Sequence, residues 1–284
     1  MNSGLQYRLL AADVDGTLLR SDGTLSPAVI DAIRAAAKEG LEVVLCSGRR
    51  FRKILPIVDA LELRSPVVVN SGTLVKDPTT GENLLAEYLD HDLAERIVAD
   101  LCSCKVAVTV HLDSALSDID FFVASKENAP QFFEGYLELN RGLWEPGVPP
   151  DLRLGGRITV VCAAGDPEEL KRLGRQLARR YDGAFNWHVV GNVRYVGDFL
   201  EIYSAEASKW KAAEKIARMR GIGREQIAAV GDDENDLEMI REAGLGAAVA
   251  NAAQSVKAAA SMVIPSNDDG GIVRLIEHIV PRLK

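Results

Sequence analysis

Short apolar runs and helical segments alternate along the first part of the chain. The apolar run 7–14 breaks into a polar loop, the segment 26–39 has helical periodicity, and a second apolar run spans 41–46. Ser26 suits the N-cap of this helix, and Gly40 suits the position just beyond its end. Strands that alternate with helices predict a parallel sheet with helices on both faces.

A different pattern begins near residue 83 and ends near residue 191. Amphipathic stretches and strand-like runs follow one another here without the earlier regular order. The alternating pattern returns with the apolar run 199–203, which we interpret as a strand of the first sheet. The predicted fold is a doubly wound, Rossmann-like α/β core of residues 1–82 and 192–284, with an α+β cap domain of residues 83–191 inserted between them.

The composition is that of a globular protein, with 47% hydrophobic and 26% charged residues. A formal net charge of −8 opposes non-specific binding to nucleic acid, which depends on a basic surface. The chain has no run of about 18 apolar residues, so we expect neither a membrane span nor a signal peptide. Four irregularly spaced cysteines are too few for a disulfide framework, which favours a reducing compartment, by default the cytoplasm.

Four polar clusters each follow directly on a predicted strand. They comprise residues 13–17, 47–49, 208–209 and 231–236. In an open parallel sheet the carboxyl ends of the strands gather at one edge, and ligands bind there. We therefore expect the four clusters to converge.

The carboxylates of these clusters predict a metal site. Asp13 and Asp15 are two residues apart, so both side chains leave one face if the strand continues through them. Asp232, Asp233 and Asp236 add negative charge at the same edge. A ligand set made of oxygen atoms favours a hard cation, and we expect Mg²⁺ rather than zinc.

The remaining polar groups of the clusters suit a phosphate ester. Lys209 supplies a point charge and Ser47 a hydroxyl donor, while Gly48 allows close approach of the backbone. A metal and a lysine beside a carboxylate make it a workable nucleophile toward phosphorus, because both cations screen its repulsion from the phosphate. Like-charge crowding would raise the pKa of Asp15 and let it hold a proton for the leaving alcohol.

The order and separation of these motifs resemble the haloacid dehalogenase superfamily, and within it the Cof-type phosphatases, which carry a large cap inserted after the second motif. The matching segments are Asp13-x-Asp15-x-Thr17, Ser47-Gly48-Arg49, Lys209 and Gly231-Asp232-x-x-Asn235-Asp236. The resemblance implies a Mg²⁺-dependent phosphatase that hydrolyses a small phosphorylated metabolite, such as a sugar phosphate, through an aspartyl-phosphate intermediate.

The same resemblance implies a role for each matching residue. Asp13 would be the nucleophile and a metal ligand, and Asp15 the general acid and base that also offers its backbone carbonyl to the metal. Asp232 would be the remaining protein ligand. Asp236 would not bind the metal itself but would lie next to its ligands. The phosphoryl group would be bound by Ser47, Gly48, Lys209 and Asn235.

Two segments depart from the pattern of the Cof-type phosphatases. Those proteins often have Asn-Gly-Ala where this chain has Asn70-Ser71-Gly72-Thr73, and they usually have glycine where this chain has Trp210. Both differences concern the edge of the expected pocket and leave the reacting groups unchanged.

Two other functions fit the same motifs. A phosphomutase would return the phosphoryl group to another hydroxyl of a phosphosugar, and a non-catalytic sensor would bind a phosphate ligand without hydrolysing it. Within the cap, Arg153 and Arg157 lie beside a Gly-rich turn and are candidates for contacting an anionic or hydroxyl-rich substrate. We expect a small phosphate ester as the partner, with no nucleic acid and no membrane; the sequence does not indicate the oligomeric state.

Overall fold

The computed structural model describes residues 5–113, 119–147, 157–192 and 197–283. Its strands are β1 (Leu9–Asp13), β2 (Glu42–Cys46), β3 (Val67–Val69), β4 (Leu74–Lys76), β5 (Asn83–Ala86), β6 (Ala107–Leu112), β7 (Phe121–Lys126), β8 (Trp144–Pro146), β9 (Ile158–Gly165), β10 (Phe185–Asn192), β11 (Gly197–Ser204), β12 (Ile227–Gly231), β13 (Leu245–Val249) and β14 (Met262–Ile264). Its helices are α1 (Pro27–Lys38), α2 (Phe51–Leu61), α3 (His91–Ser103), α4 (Gln131–Leu139), α5 (Pro167–Arg180), α6 (Lys209–Met219), α7 (Leu237–Glu242), α8 (Gln254–Ala259) and α9 (Gly271–Ile279).

The chain divides into two compact units. The first unit combines Met1–Ala86 with Ser208–Lys284, and the second unit is Glu87–Ala207. Each unit contains one sheet with its own helices.

The sheet of the first unit has the strand order β14-β13-β12-β1-β2-β3-β4-β5. Neighbouring strands are parallel from β14 to β3, and β3, β4 and β5 pair antiparallel. The helix predicted over 26–39 is confirmed as α1, where the Ser26 hydroxyl accepts a hydrogen bond from the Val29 N–H at 3.2 Å.

Strand β1 is fully enclosed within this sheet. It lies between β12 and β2, and its first four residues, Leu9 to Ala12, are 0% exposed. Helix α1 contacts α2 and α9, while α7 contacts α6 and α8. A strand that is apolar on both faces is typical of a parallel sheet covered on both sides. Asp13 is thus the first polar residue at the end of a fully buried strand.

The second unit is built on a six-stranded sheet with the order β10-β11-β9-β6-β7-β8. All neighbours pair antiparallel except β7 and β8. Helices α3 and α5 cover one face, where Leu93 and Leu170 join the same apolar cluster as Leu200. On the other face, α4 contributes Phe133 to a cluster that includes Phe199.

The interpretation of 199–203 as a strand of the first sheet is wrong. This run lies in β11, which pairs antiparallel with β9 and β10 in the second sheet. Apolar residues occur on both faces of β11, because Leu200 faces one cluster and Phe199 the other. Hydrophobic periodicity shows that a run is buried, but it does not show which strand the run pairs with. The run 199–203 therefore had the same pattern as a strand of a parallel sheet.

Within the described residues, no helix combines the length and the apolar character needed to cross a lipid bilayer.

Candidate active site

The carboxyl end of β1 places Asp13 and Asp15 in different environments. The two side chains would leave one face only if the strand continued through both residues, and it does not, because β1 ends at Asp13. The backbone turns directly afterwards, and the Val14 carbonyl accepts hydrogen bonds from the N–H groups of Leu18 and Leu19 at 3.0 and 2.9 Å. Asp13 is 4% exposed, whereas the side chain of Asp15 is 57% exposed.

Asp15 is held by Arg49 rather than crowded by Asp13. The Arg49 Nε donates to Oδ2 of Asp15 at 2.7 Å, and Nη2 donates to Oδ1 at 2.6 Å. This two-point contact fixes the plane of the carboxylate. The carboxylates that lie with Asp13 are instead Asp232 and Asp236, and one oxygen atom from each of the three residues lies within 4.8 Å of the other two.

Lys209 lies at the centre of the cluster. Its Nζ donates to Oδ1 of Asp13 at 2.7 Å, to Oδ1 of Asp236 at 2.8 Å and to Oδ1 of Asn235 at 3.2 Å. Burial alone would lower the pKa of Lys209, but the charges of Asp13 and Asp236 outweigh it and hold this pKa well above its usual value. The lysine is therefore a buried cation between two carboxylates.

Lys209 reaches the site from a helix and not from a strand of the first sheet. It is the first residue of α6, and the Ser208 hydroxyl caps this helix by accepting from the Lys211 N–H at 3.0 Å. The prediction that residues 208–209 follow a core strand is wrong, since the preceding strand β11 belongs to the second unit.

Asp236 organises the loop that follows β12. Its Oδ2 accepts from the backbone N–H groups of Asp232 and Asp233 at 3.1 and 3.2 Å, while Oδ1 is bound to Lys209. A Cβ on Gly231 would lie 2.5 Å from the Asp236 carboxyl, so only glycine permits this approach. Both oxygen atoms of Asp236 are engaged in holding its neighbours.

Asp232 is positioned by the loop that follows β1. The Thr17 hydroxyl donates to Oδ1 of Asp232 at 2.8 Å. Gly16 has a φ of +78°, and a Cβ there would lie 2.3 Å from Oδ2 of Asp232. The Asn251 side chain donates to the Gly16 carbonyl at 2.8 Å, which fixes this loop from a third direction.

The donor set fits a hard divalent cation. Oδ2 of Asp13 is buried and has no hydrogen-bond partner among the described residues. Burial, with the nearby charge of Asp236, raises the pKa of Asp232 to about 6. Three carboxylates beside a single lysine leave excess negative charge, and such a donor set favours a bound cation with oxygen ligands, of which Mg²⁺ is one.

Ser47 lies at the same edge of the sheet. It follows β2, whose last residue Cys46 pairs with Asp13 in the parallel register. The Ser47 hydroxyl oxygen accepts from the Arg49 N–H at 3.1 Å, which leaves its proton for an acceptor such as a phosphate oxygen. Gly48 is exposed at the tip of this loop.

Trp210 is buried and does not form the edge of this site. It is 3% exposed, and the Arg224 guanidinium lies 5.3 Å from the centre of its ring. Arg224 in turn donates to Glu214 of the same helix at 2.7 Å. The large side chain that replaces the usual glycine therefore packs within the helices of the first unit.

Only one of the two cap arginines predicted to contact substrate lies in the described part of the chain. Arg153 lies outside the described residues. Arg157 is an exposed residue of the second unit, and its guanidinium lies 5.9 Å from the centre of the Tyr88 ring. The Tyr88 hydroxyl donates to Asp113 at 2.8 Å, and burial raises the pKa of Tyr88 to about 12.

Sequence reasoning missed two residues that hold the site together. Arg49 was part of a matching motif, but nothing in its spacing showed that its partner is Asp15. Asn251 bridges distant loops, because its Oδ1 also accepts from the Asn267 N–H at 3.0 Å. Contacts across so many residues leave no local signal in a single sequence.

The fold and the carboxylate–lysine cluster define a doubly wound α/β enzyme with a second unit inserted in its chain. The chain belongs to the haloacid dehalogenase-like hydrolases, and the sequence model of that family matches residues 10–276. It is 30% identical over 283 residues to YxeH of Bacillus subtilis, a protein provisionally named a phosphatase, with 96% of this chain and 98% of that protein covered.

Two further comparisons agree. The chain is 27% identical over 276 residues to YitU of Bacillus subtilis, named as a 5-amino-6-(5-phospho-D-ribitylamino)uracil phosphatase, with 95% of this chain and 96% of that protein covered. Its fold matches the structure of a haloacid dehalogenase-like hydrolase from B. subtilis with a TM-score of 0.77 and 25% identity, covering 96% of this chain and 100% of that one.

Proposed function

We propose that the chain hydrolyses the phosphate ester of a small metabolite, with Mg²⁺ as cofactor and Asp13 as the nucleophile that becomes phosphorylated. The observation that carries this proposal is the buried Asp13 carboxylate. Its Oδ1 is bound to Lys209, and its Oδ2 has no hydrogen-bond partner within the described part of the chain. A carboxylate oxygen kept clear of donors beside a buried cation is suited to attack phosphorus.

The class of reaction follows from the family. The chain is a phosphoric monoester hydrolase, like the phosphatases to which it is similar over nearly its whole length. The carboxylates and the lysine discussed above are all present, which supports catalysis over a non-catalytic role. Mg²⁺ dependence, the covalent intermediate and the substrate are the parts that we propose.

In the first step, Oδ2 of Asp13 attacks the phosphorus atom, and the bond from phosphorus to the ester oxygen breaks. Lys209 and the Ser47 hydroxyl hold the phosphoryl oxygens, and Asp15 gives a proton to the departing oxygen. A carboxylate bound at both oxygens by a guanidinium carries no transferable proton. We therefore expect the contact between Arg49 and Asp15 to open when substrate enters.

In the second step, a water molecule attacks phosphorus while Asp15 accepts its proton, and the bond from phosphorus to Asp13 breaks. Inorganic phosphate and the free Asp13 carboxylate result. Asp13, Asp232 and the backbone carbonyl of Asp15 would hold the Mg²⁺, which supplies positive charge against the phosphate when bound. Asp236 keeps Lys209 and the Asp232 backbone in place.

Replacing Asp15 by asparagine should separate acid catalysis from nucleophilic attack. The variant keeps Asp13, so an aryl phosphate with an activated leaving group should lose little in the first step. An alkyl phosphate, whose leaving oxygen needs a proton, should lose most of its turnover. The measurement is the pre-steady-state rate of alcohol release in the first turnover over a series of leaving groups, because Asp15 also serves the second step. Equal losses over the whole series would count against Asp15 as the acid.

Removal of divalent cations should stop turnover. Mg²⁺ should restore it, and Ca²⁺ should support it poorly, because the larger and looser coordination of Ca²⁺ would misplace Asp13. Circular dichroism of the chelated protein should show an unchanged fold, so that the loss reports on the site. Full activity in excess chelator would refute the metal requirement.

Two alternatives have direct tests. A phosphomutase would interconvert phosphosugars, so a phosphosugar supplied alone would yield an isomer instead of inorganic phosphate. A sensor would bind phosphate esters but leave a chromogenic ester intact in the presence of Mg²⁺. Release of inorganic phosphate at a rate proportional to enzyme supports the hydrolase over both.

The substrate is the least constrained part of the proposal. We propose that the second unit sets selectivity as a cap, with exposed Arg157 as one candidate contact. A phosphate-release screen should cover sugar phosphates, nucleotides, phosphoglycolate, and pyridoxal and flavin phosphates, with phosphorylated ribitylaminouracil added because one relative is named for it. None of the four cysteines forms a disulfide bond, which supports a reducing, cytoplasmic setting.

A further inference from the structure

The turn Asn70–Gly72, which joins β3 to β4, has an unusual backbone. Its three residues have φ values of +50°, +59° and +97°, and all three are buried. Asn70 and Ser71 are therefore L-residues in the left-handed region, where glycine is favoured. Non-glycine residues persist in such conformations only where surrounding structure imposes them, and such positions cluster at functional sites.

One side of the turn is bound to the loop that carries Ser47. The Asn70 N–H donates to the Arg49 carbonyl at 3.0 Å, and the Ser71 N–H donates to the Ser47 carbonyl at 3.1 Å. The Ser47 N–H is bound in turn to Val68 of β3 at 3.0 Å. The loop after β2 is thus tied by its backbone to the left-handed residues.

The other side of the turn lies against the beginning of α6. A Cβ added to Gly72 would lie 2.2 Å from the carbonyl carbon of Ser208 and 2.7 Å from the nitrogen of Lys209. No side chain fits between the turn and this helix. The backbone of Gly72 therefore sets how closely Lys209 can approach.

We propose that the Asn70–Gly72 turn is a rigid spacer that fixes Lys209 relative to Ser47, and so sets the geometry with which both groups hold a phosphoryl group. The inference rests on the proposed function for the roles of these two residues. A plain hairpin explains positive φ values between antiparallel strands. It does not explain contact with two phosphate-binding elements at once, or the left-handed backbone of Asn70 and Ser71, where glycine is favoured.

The test compares Gly72→Ala with Gly270→Ala. Gly270 has a similar φ of +77° but nothing within 4 Å of an added Cβ, so the two variants share the backbone strain and only the first displaces a neighbour. We expect Gly72→Ala to weaken inhibition by inorganic phosphate, and to raise KM for an aryl phosphate, by about tenfold or more, because a misplacement of roughly 1 Å can cost about a hundredfold. The Gly270→Ala variant should remain within about twofold of wild type in both quantities.

Thermal unfolding with and without inorganic phosphate gives a second readout that needs no turnover. Wild type and Gly270→Ala should gain stability with phosphate, and Gly72→Ala should not. Equal phosphate responses in the two variants, or a wild type that gains none, would overturn the spacer proposal. A wild type that is stabilised by phosphate but hydrolyses no ester would instead refute the proposed function and leave the spacer test standing.

A milder change covers the case in which Gly72→Ala does not fold. Ser71→Gly removes the strain of the left-handed residue and loosens the turn without adding atoms. It should fold at least as well as wild type while weakening phosphate inhibition. An inhibition constant indistinguishable from that of wild type would contradict a rigid spacer.

Discussion

Replacing Asp13 by asparagine is expected to abolish turnover while the protein stays folded. The amide is nearly isosteric with the carboxylate, and its oxygen can still accept the hydrogen bond from Lys209. It is a poor nucleophile toward phosphorus, so the first chemical step should fail. The measurement is the steady-state rate of phosphate release, with circular dichroism as the check on the fold.

A matched control for this variant lies on the same loop. Asp22→Asn changes an exposed carboxylate that accepts from the Thr24 N–H at 2.9 Å, a contact that an asparagine can keep. Its turnover should match that of wild type. If Asp13→Asn kept more than about a hundredth of wild-type turnover, equivalent to about 2.7 kcal/mol of transition-state stabilisation, the nucleophile would have to be another group.

Replacing Lys209 by methionine should reduce both activity and stability. The side chain is 3% exposed and is the cation between Asp13 and Asp236. Without it, two buried carboxylates face each other uncompensated, and breaking a buried ion pair in this way costs about 3 to 5 kcal/mol. Turnover should fall with it, since no cation of the protein would hold the phosphoryl oxygens at this position.

Urea unfolding measures the loss in the free energy of unfolding. Two further variants show whether uncompensated charge causes this loss. Lys38→Met, on the exposed face of α1, should change the free energy of unfolding by less than about 0.5 kcal/mol. Adding Asp236→Asn to Lys209→Met removes one of the stranded charges and should recover part of the lost stability, but not the turnover. No recovery of stability in this double variant would show that the loss has a cause other than uncompensated charge.

The sequence predicted the parts of the site that depend on one strand end each. Asp13 terminates a run that is apolar on both faces, and Ser47 follows the adjacent run, so parallel topology alone brings them to one edge. The carboxylates after β12 were expected at the same edge for the same reason. The α/β fold class of the core was predicted from the alternation of apolar runs and helices.

Other features depend on contacts that no local pattern encodes. Asp15 leaves the strand because the chain turns at Val14, and its partner Arg49 comes from another strand end. The run in β11 was assigned to the wrong sheet, because burial on both faces is common to parallel strands and to strands covered by helices on each side. Likewise, the left-handed residue Ser71 adopts a backbone that its own preference disfavours, which shows tertiary contacts overriding local propensity.

The covalent role of Asp13 can be tested most directly by trapping the phosphorylated enzyme. The Asp15→Asn variant, mixed with Mg²⁺ and an activated aryl phosphate, should accumulate the intermediate because no base activates the second-step water. Acid quenching, peptic digestion at low pH and tandem mass spectrometry of the peptide that contains Asp13 would locate the added group, because an acyl phosphate hydrolyses at the alkaline pH that trypsin needs. The account predicts one phosphoryl group on Asp13, and none when Asp13→Asn is introduced as well. Burst release of the aryl alcohol with no phosphoryl group on this peptide, or with the group on another residue, would contradict it.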